Sequence, residues 1–247
     1  MKDNILLNDL LKTKEYQESN AILPVILGAD KKGITIVNDL REMFSILVAG
    51  KSGSGKSVFI NSVLKSLTYK LSDKECKFAI FSSKNTDFEQ WQNDNHLLFK
   101  SDTNDCIKQF NSIIEIINDR CRILSENKVK SAIEYRKKTN NDDMPFIIVI
   151  IDDLSDFINY AHTENFIKTI CENSNTVDVY IITSTNKTDT LNETLMANFI
   201  TRIAFQTSNA KESKSILEES GAELLLPYGE ALYSWTLHSP VKIYIAN

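Results

Sequence analysis

Eight consecutive residues, Gly50-Lys-Ser-Gly-Ser-Gly-Lys-Ser57, constrain the fold more than any other part of the sequence. They contain three of the seven glycines in the chain, with an apolar stretch at 45–49 before them and a helix-forming stretch at 56–70 after them. Glycines allow backbone N–H groups to turn inward around an anion, and a helix that begins at the same place directs its positive end there. The pattern therefore predicts a phosphate-binding loop between a buried strand and a helix.

The spacing Gly50-x-x-x-x-Gly55-Lys56-Ser57 agrees with the P-loop at every defined position. Lys56 is suited to reach the β- and γ-phosphates of ATP as a mobile point charge, and the Ser57 hydroxyl to ligate Mg²⁺. The predicted ATP contacts are Gly50, Ser52, Gly53, Ser54, Gly55, Lys56, Ser57 and Val58. The alternative is a glycine- and serine-rich turn in which the lysine occurs by chance.

The longest apolar run, 146–151, ends in two carboxylates, Asp152 and Asp153. In a P-loop protein the first acidic residue after such a strand holds Mg²⁺ on the Ser57 side of the site, so Asp152 is the predicted metal ligand. Asp153 is the candidate base that orients or deprotonates the attacking water, although its carboxylate is one methylene shorter than that of glutamate. Both aspartates could instead be turn residues that start a loop. Asp156 is expected to cap the next turn or to support the pair.

Apolar strands alternate with amphipathic helices, which predicts an α/β fold with a mainly parallel central sheet flanked by helices on both faces. Strands are predicted at 24–28, 34–37, 45–49, 78–81, 146–151, 177–182, 203–206, 231–235 and 241–245, with a hairpin at each end of the chain. Helices are predicted at 5–18, 56–70, 105–125, 130–138, 164–171 and 211–217. The helix and hairpin of residues 1–44 are expected to lead into one compact unit, 45–247.

Charge and cysteine content argue against several kinds of protein. Lys and Arg number 28 against 33 Asp and Glu, a net charge of −5, so a broad basic face that coats DNA is not expected. Any contact with nucleic acid would be local or shared among several subunits. The four cysteines lack Cys-x-x-Cys spacing and predict reduced thiols of a cytoplasmic protein, not a zinc site. No apolar run approaches about 18 residues, so direct membrane insertion is not expected.

With both motifs in place, the chain resembles the FtsK/SpoIIIE family of hexameric ATPase motors, within the wider HerA/RecA-like group. The segments that carry the resemblance are 23–30, 39–50, 57–64, 152–156, 197–206 and 215–226. The resemblance implies a RecA-like motor core that hydrolyses ATP in a ring of identical subunits, a hexamer. It also implies double-stranded DNA as a partner, bound without regard to sequence, and allows a membrane-anchored or secretion partner protein.

The resemblance further assigns roles to individual side chains. Arg202 becomes a candidate arginine finger for a neighbouring subunit's γ-phosphate, unless it forms a salt bridge at a strand edge. Asn186 becomes the candidate sensor of the γ-phosphate, with Thr185 as the alternative position and an ordinary loop asparagine as the alternative interpretation. Lys211 and Lys214 become candidate contacts to DNA phosphates, unless they are solvated lysines on a helix.

The sequence also departs from the family. Asp153 replaces a glutamate, Ser82-Ser83-Lys84 replaces Asp-Pro-Lys, Asn186-Lys187-Thr188 replaces Gln-Arg-Pro, and Pro227-Tyr228 replaces a small glycine-containing stretch. Arg120 matches a second basic position of the family, but a solvated helix face is the stronger interpretation. Two alternatives therefore stay open: a conjugative coupling or type VII secretion ATPase that acts on a protein substrate, and a weakly hydrolysing nucleotide-binding subunit.

Overall fold

The computed structural model describes residues 5–84, 86–160, 162–236 and 238–246. The chain forms two compact units, of which the first combines Met1–Lys70 with Ser184–Asn247 and the second is Leu71–Thr183. The strands are β1 (Pro24–Ala29), β2 (Thr35–Asp39), β3 (Ser45–Ala49), β4 (Cys76–Ser82), β5 (Leu97–Ser101), β6 (Phe146–Asp152), β7 (Val179–Thr185), β8 (Thr201–Ala204), β9 (Glu230–Trp235) and β10 (Val241–Tyr244). The helices are α1 (Leu7–Leu10), α2 (Lys14–Gln17), α3 (Leu40–Met43), α4 (Lys56–Lys70), α5 (Cys106–Glu126), α6 (Ala132–Thr139), α7 (Thr163–Val177), α8 (Glu193–Met196) and α9 (Ala210–Leu217). The separate lead-in over residues 1–44 stays a prediction.

In the first unit, six strands follow the order β2-β1-β10-β9-β8-β3. Strands β8 and β3 are parallel, whereas the other neighbours are antiparallel and include both predicted hairpins, β1–β2 and β9–β10. Gly28 lies in β1 where the register shifts, and a Cβ on it would lie 2.2 Å from the carbonyl oxygen of Tyr244 in β10. A glycine at this position therefore lets β1 approach β10.

In the second unit, four strands follow the order β7-β6-β4-β5, and every neighbouring pair is parallel. Helices α5 and α7 pack against this sheet through aromatic rings. The ring centroid of Phe81 in β4 lies 4.8 Å from that of Phe110 in α5 and 5.9 Å from that of Phe166 in α7. Phe110 and Phe166 stack at 4.1 Å. This packing fixes the strands whose carboxyl ends carry Ser82 and Asp152.

The predicted α/β class is confirmed, and each predicted strand is present, with the predicted bounds at 45–49 and with bounds shifted by at most a few residues elsewhere. The single helix predicted at 5–18 is wrong, because the structure has two short helices, α1 and α2, in its place. Thr13 adopts an extended backbone with ψ 154°, and its hydroxyl donates to the Leu10 carbonyl at 2.7 Å. Such a local hydrogen bond competes with helix continuation. Strand β5 and helices α3 and α8 were not predicted. Each has only four or five residues, which is too few to show a clear periodicity of apolar residues.

A small apolar cluster holds the N-terminal helices within the first unit. Its buried members are Leu7, Leu10, Leu11, Tyr16, Ile26 and Ala246. Tyr16 is fully buried, and its hydroxyl donates to the carbonyl oxygen of Ser66 in α4. Burial raises the pKa of Tyr16 well above its usual value, so this hydroxyl keeps its proton. The cluster therefore supports α4, the helix that begins at the phosphate loop.

All four cysteines lie in the second unit. The thiols of Cys76 and Cys106 are buried, whereas Cys121 and Cys171 are partly exposed. Burial raises the pKa of the Cys76 thiol well above its usual range, and it also raises the pKa of Cys106. A raised pKa lowers the fraction of reactive thiolate, so the two buried thiols are the less reactive pair.

Two kinds of feature are absent from the described residues. No helix in the described ranges combines the length and the apolar character that crossing a bilayer requires. In the same ranges, no three His, Cys, Asp or Glu side chains are grouped so that they could hold a metal ion by themselves.

Candidate nucleotide-binding site

The phosphate loop, residues 50–57, is fastened at its start by backbone hydrogen bonds within the first unit. The Gly50 N–H donates to the carbonyl of Thr185, at the end of β7, at 3.2 Å. The Lys51 N–H donates to the carbonyl of Gln206, just after β8, at 2.9 Å. Inside the loop, the Ser54 N–H donates to the Lys51 carbonyl at 3.2 Å. Backbone groups alone therefore set much of the shape of the loop.

Two loop glycines lie against Phe205, a fully buried residue after β8. A Cβ on Gly50 would lie 2.8 Å from the Phe205 Cβ, and one on Gly55 would lie 3.2 Å from the Phe205 Cε1. Both glycines also have positive φ, 146° and 109°, which side-chain-bearing residues rarely adopt. Glycine is therefore needed at both positions for two reasons: the positive φ angles and the closeness of Phe205, a residue distant in the sequence.

We expect Gly50→Ala to destabilise the protein by about 1–3 kcal/mol more than Gly33→Ala does, because the added methyl group meets Phe205. Gly33 is the matched control, since it also has positive φ (83°) but a Cβ there would have nothing within 4 Å. Urea unfolding of both variants measures the difference. Equal losses of stability would show that backbone strain alone, without the contact to Phe205, explains the glycine.

Polar groups of the loop suit a bound polyphosphate. Lys56 is buried, and its Nζ donates to the carbonyl oxygens of Gly50 at 2.9 Å and Lys51 at 2.8 Å, so the ammonium group is held over the loop. The Ser54 Oγ is buried and has no hydrogen-bond partner among the described residues. A buried hydroxyl without a partner is costly, and a phosphate oxygen would satisfy it. The residues present therefore fit a nucleoside triphosphate.

The remaining predicted contacts lie in the loop or in the first turn of α4. Ser57 is partly buried, and its carbonyl accepts from the Asn61 Nδ2 at 2.9 Å as part of the helix. Val58 and Ser52 are exposed. The helix α4 begins at Lys56, so the positive end of its dipole lies at the phosphate loop and suits an anion. The roles of Ser57 in Mg²⁺ binding and of the other residues in ATP binding stay predictions.

The turn after β7 carries the predicted sensor. The Thr185 hydroxyl donates to the Lys187 carbonyl at 3.2 Å and lies 3.1 Å from the Lys187 N–H, so it is used inside this turn. The Thr185 carbonyl accepts from Gly50 in the phosphate loop. Asn186 is partly buried and follows Thr185 directly in the sequence. It is therefore adjacent to a residue whose backbone is hydrogen-bonded to the phosphate loop. Of the two positions predicted, Asn186 is therefore the better candidate, and its role stays a prediction.

Arg202 of β8 is bound to its own unit. Its guanidinium donates to the carbonyl oxygens of Phe199 (3.2 Å), Met196 (3.2 Å) and Ile216 (3.0 Å), and it reaches the Glu218 carboxylate at 3.4 Å. Its side chain is 16% exposed and lines a cleft of about 430 Å³. The alternative interpretation, an ion pair, is thus observed. A finger that reaches another subunit would have to break these bonds first, so that role stays a prediction.

The two predicted DNA contacts, Lys211 and Lys214, are exposed on α9. The helix begins with a side-chain cap, in which Asn209 accepts from the Glu212 N–H at 3.0 Å. Residues three apart lie on the same face of a helix, so both ammonium groups project to the same side. This arrangement agrees with phosphate contacts and equally with solvated lysines.

In the second unit, the end of β6 carries the two predicted carboxylates. Asp152 is 3% exposed, and its Oδ2 accepts from the Ser82 hydroxyl of the neighbouring strand β4 at 3.3 Å. Asp153 is 6% exposed, and its carboxylate accepts from the Ser155 hydroxyl at 2.7 Å and lies 3.9 Å from the Lys84 Nζ. Ser82 and Lys84 belong to the segment Ser82-Ser83-Lys84, which replaces Asp-Pro-Lys of the family. In the structure Ser82 contacts Asp152 and Lys84 contacts Asp153.

The backbone of Asp153 adopts the left-handed conformation, with φ 60° and ψ 75°. Aspartate tolerates this conformation better than most residues, but it is still uncommon and its strain persists only where neighbours enforce it. Asp156 helps to enforce it, because its N–H donates to the Asp153 carbonyl at 2.9 Å and its carboxylate accepts from the Ser83 hydroxyl. These contacts favour the expectation that Asp156 supports Asp152 and Asp153 over the expectation that it caps the next turn.

The structure contradicts the prediction that Arg120 lies on a solvated helix face. The residue is 6% exposed in α5, and its guanidinium donates to the carbonyl oxygens of Val177 and Pro145, each at 2.6 Å. Burial lowers the pKa of Arg120 to about 10. Nearby, Arg136 forms an ion pair with the fully buried Asp178. Arg120 therefore joins the end of α7 to the residue that precedes β6.

Sequence reasoning misses two residues beside the loop. Phe205 sets the space available to Gly50 and Gly55, but an apolar residue after a strand gives no signal of that contact in the sequence. The hydroxyl of Tyr228, which follows Gly53 by 175 residues in the sequence, lies close to Gly53. The one available signal is that Pro227-Tyr228 departs from the family.

The chemistry of the two units differs. The first unit offers backbone N–H groups, a held ammonium group and a buried hydroxyl, which together can bind a polyphosphate anion. The second unit offers two buried carboxylates at one strand end, which can hold a cation and accept a proton from water. These are the functional groups that hydrolysis of a nucleoside triphosphate requires.

The sequence of the chain is similar to those of known proteins. The profile of the FtsK/SpoIIIE family matches residues 6–225. The DNA translocase FtsK of Campylobacter jejuni (subsp. jejuni serotype O:23/36) is 30% identical over 239 residues, which cover 93% of this chain and 25% of that protein. The DNA translocase FtsK of Caulobacter vibrioides is 28% identical over 269 residues, which cover 94% of this chain and 33% of that protein. The chain thus spans about a third or less of the length of these curated relatives.

Solved structures with the same fold include a secretion ATPase and a conjugation coupling protein. The cytoplasmic domain of the Thermomonospora curvata type VII secretion ATPase EccC superposes with a TM-score of 0.84 at 18% identity, over 99% of this chain and 32% of that one. The pCW3 conjugation coupling protein TcpA, solved with ATPγS, gives a TM-score of 0.76 at 20% identity, over 95% of this chain and 68% of that one. At these identities the likeness establishes the fold alone, and it confirms the predicted α/β fold with a central sheet flanked by helices.

Proposed function

The chain belongs to the FtsK/SpoIIIE family, and from that premise we propose that it hydrolyses ATP to move double-stranded DNA. We further propose that it works as a ring of identical subunits, a hexamer. The proposal rests on two observations at the phosphate loop. The Lys56 ammonium group is held by loop carbonyl oxygens, and the buried Ser54 hydroxyl has no hydrogen-bond partner among the described residues. Triphosphate binding at this loop is the first requirement of such a motor.

Hydrolysis itself is assigned to the acidic end of β6. Asp153 orients the attacking water and accepts its proton, because its carboxylate is buried and its position is enforced by Ser155 and by the left-handed backbone. Ser57 and Asp152 keep the predicted role of magnesium ligands. The metal, when bound, neutralises charge on the phosphate oxygens. Lys56 adds a second positive charge at the same phosphates.

DNA binding is assigned to Lys211 and Lys214. Both ammonium groups are exposed on one side of α9, and a chain with a net charge of −5 needs such local positive groups to approach a phosphate backbone. Contacts to phosphates carry no sequence information, so binding would be independent of DNA sequence. Repetition of the pair around a ring multiplies the number of phosphates bound.

Phosphate release measured with and without duplex DNA, at several protein concentrations, tests the proposal. We expect duplexes of unrelated sequence to stimulate release equally, and activity to rise more steeply than linearly with protein concentration as rings assemble. If no duplex stimulates release at any concentration, the DNA part of the proposal is wrong. Release stimulated by a protein partner instead would favour the secretion or coupling alternative.

The Lys211→Ala, Lys214→Ala double variant should need a higher DNA concentration for half-maximal stimulation. The slope of log affinity against log salt should fall by about 2 for each subunit that contacts the DNA, because each of the two lysines would neutralise one DNA phosphate. The matched control is Lys31→Ala, Lys32→Ala, which removes two exposed lysines from the β1–β2 turn. An unchanged slope in the first variant, or an equal change in both, would remove α9 from the DNA interface.

A further inference from the structure

The loop that precedes β9 exposes three large apolar side chains. Leu224 is 79% exposed, Leu226 54% and Tyr228 70%. The loop itself is well fastened. The side chain of Leu225 is buried, and the backbone carbonyl of Leu225 accepts from the Gln206 Nε2 at 2.8 Å. The backbone N–H of Leu226 donates to the buried Glu230 carboxylate at 2.9 Å. These contacts hold the backbone of the loop in place, while the three side chains stay exposed.

Tyr228 projects toward the phosphate loop. Its hydroxyl lies 3.8 Å from the position that a Cβ on Gly53 would occupy, and both residues belong to the first unit. Its backbone has φ 60°, which is uncommon for an aromatic residue, and Gly229 follows with φ 93°. The Ile245 N–H donates to the Gly229 carbonyl at 3.0 Å, which fixes the chain just after this turn. An unfavourable backbone that neighbours enforce is typical of a functional position.

We propose that the Tyr228 ring stacks on the base of the nucleotide whose phosphates the loop 50–57 binds. The inference rests on the proposed function, because it takes the triphosphate at that loop as given. An exposed aromatic face beside the loop offers the base a flat apolar surface, and such stacking accepts any base. The nearness of the hydroxyl to Gly53 favours this ligand over a protein partner.

The test is calorimetric titration with two ligands, a non-hydrolysable ATP analogue with Mg²⁺ and inorganic tripolyphosphate with Mg²⁺. Tyr228→Gly is the main variant, because glycine adopts φ 60° without strain and the fold should be retained. We expect it to weaken binding of the ATP analogue by about tenfold to a hundredfold. Binding of tripolyphosphate should stay within about twofold, since stacking involves only the base. Tyr228→Phe keeps the ring and should bind both ligands nearly as the natural protein does.

Two controls separate this inference from the function on which it rests. Leu224→Ala removes an exposed apolar side chain from the same loop and should change neither affinity. Lys56→Ala should weaken both ligands together. Unchanged or tighter binding of the ATP analogue to Tyr228→Gly overturns the stacking, while leaving the phosphate site intact. If the natural protein binds neither ligand, the proposed nucleotide function fails, and the stacking fails with it.

Discussion

Lys56→Ala is expected to lower ATP hydrolysis by roughly a hundredfold to a thousandfold, the usual effect of removing one positioned donor from a phosphoryl-transfer site. The Lys56 Nζ is held by the carbonyl oxygens of Gly50 and Lys51, so the charge is in position before the reaction starts. Charge grows on the phosphate oxygens in the transition state, and no other ammonium group of the loop is similarly buried. Phosphate release at saturating ATP measures the loss.

Lys51→Ala is the control for this prediction. Lys51 lies in the same loop, but its side chain is exposed and its observed contacts to the loop are made by its backbone. This variant should keep hydrolysis within about threefold of the natural rate, as expected for an exposed charge. Comparable losses in both variants would mean that overall positive charge, not the position of Lys56, supports the reaction. Full activity in Lys56→Ala would place the catalytic nucleotide elsewhere.

Arg120→Met should destabilise the protein by about 3 kcal/mol. The carbonyl oxygens of Val177 and Pro145 would each be left without a buried donor, and one unsatisfied buried group costs about 1–3 kcal/mol. Methionine fills much of the same volume, so a cavity adds little. Thermal unfolding should show a midpoint lowered by about 6–12 °C for a chain of this size.

Arg122→Met, two residues along the same helix, is the matched control. Arg122 is 60% exposed and pairs with Asp119 and Glu126 on the surface of α5. Pairs of this kind contribute well under 1 kcal/mol, so the midpoint should hardly move. If both variants unfold at the natural temperature, the bonds from Arg120 to the carbonyl oxygens do not stabilise the protein. Arg120→Lys should recover only part of the loss, because an ammonium group cannot span both carbonyl oxygens as the planar guanidinium does.

Arg120 and the loop 50–57 together indicate what a sequence can reveal. The loop was predictable because its residue types, their spacing and the flanking strand and helix all agree. For Arg120 the signals conflict. The apolar positions Ile113, Ile117 and Leu124 define a buried stripe of α5 on which Arg120 also falls, but its charge suggests solvent. Periodicity was the better guide, since buried carbonyl oxygens satisfy the guanidinium.

Contacts between distant segments were not predictable from the sequence. Phe205 against Gly50, Tyr228 beside Gly53 and Arg202 bound to the Ile216 carbonyl all depend on how strands and loops meet. Neither periodicity nor a motif encodes them. Asp153 is an intermediate case. The sequence predicts its place at a strand end, but the left-handed backbone and the Ser155 hydroxyl that orient its carboxylate become visible only in the fold.

The distribution of cysteines has a practical consequence for fluorescence experiments. A maleimide dye should attach first at Cys121 and Cys171, because the thiols of Cys76 and Cys106 are buried and hold their protons. All four belong to Leu71–Thr183, so a natural protein labelled in this way carries every dye in the second unit. The segment with the phosphate loop then stays chemically unmodified. One cysteine introduced there would supply the partner dye for energy-transfer measurements during turnover.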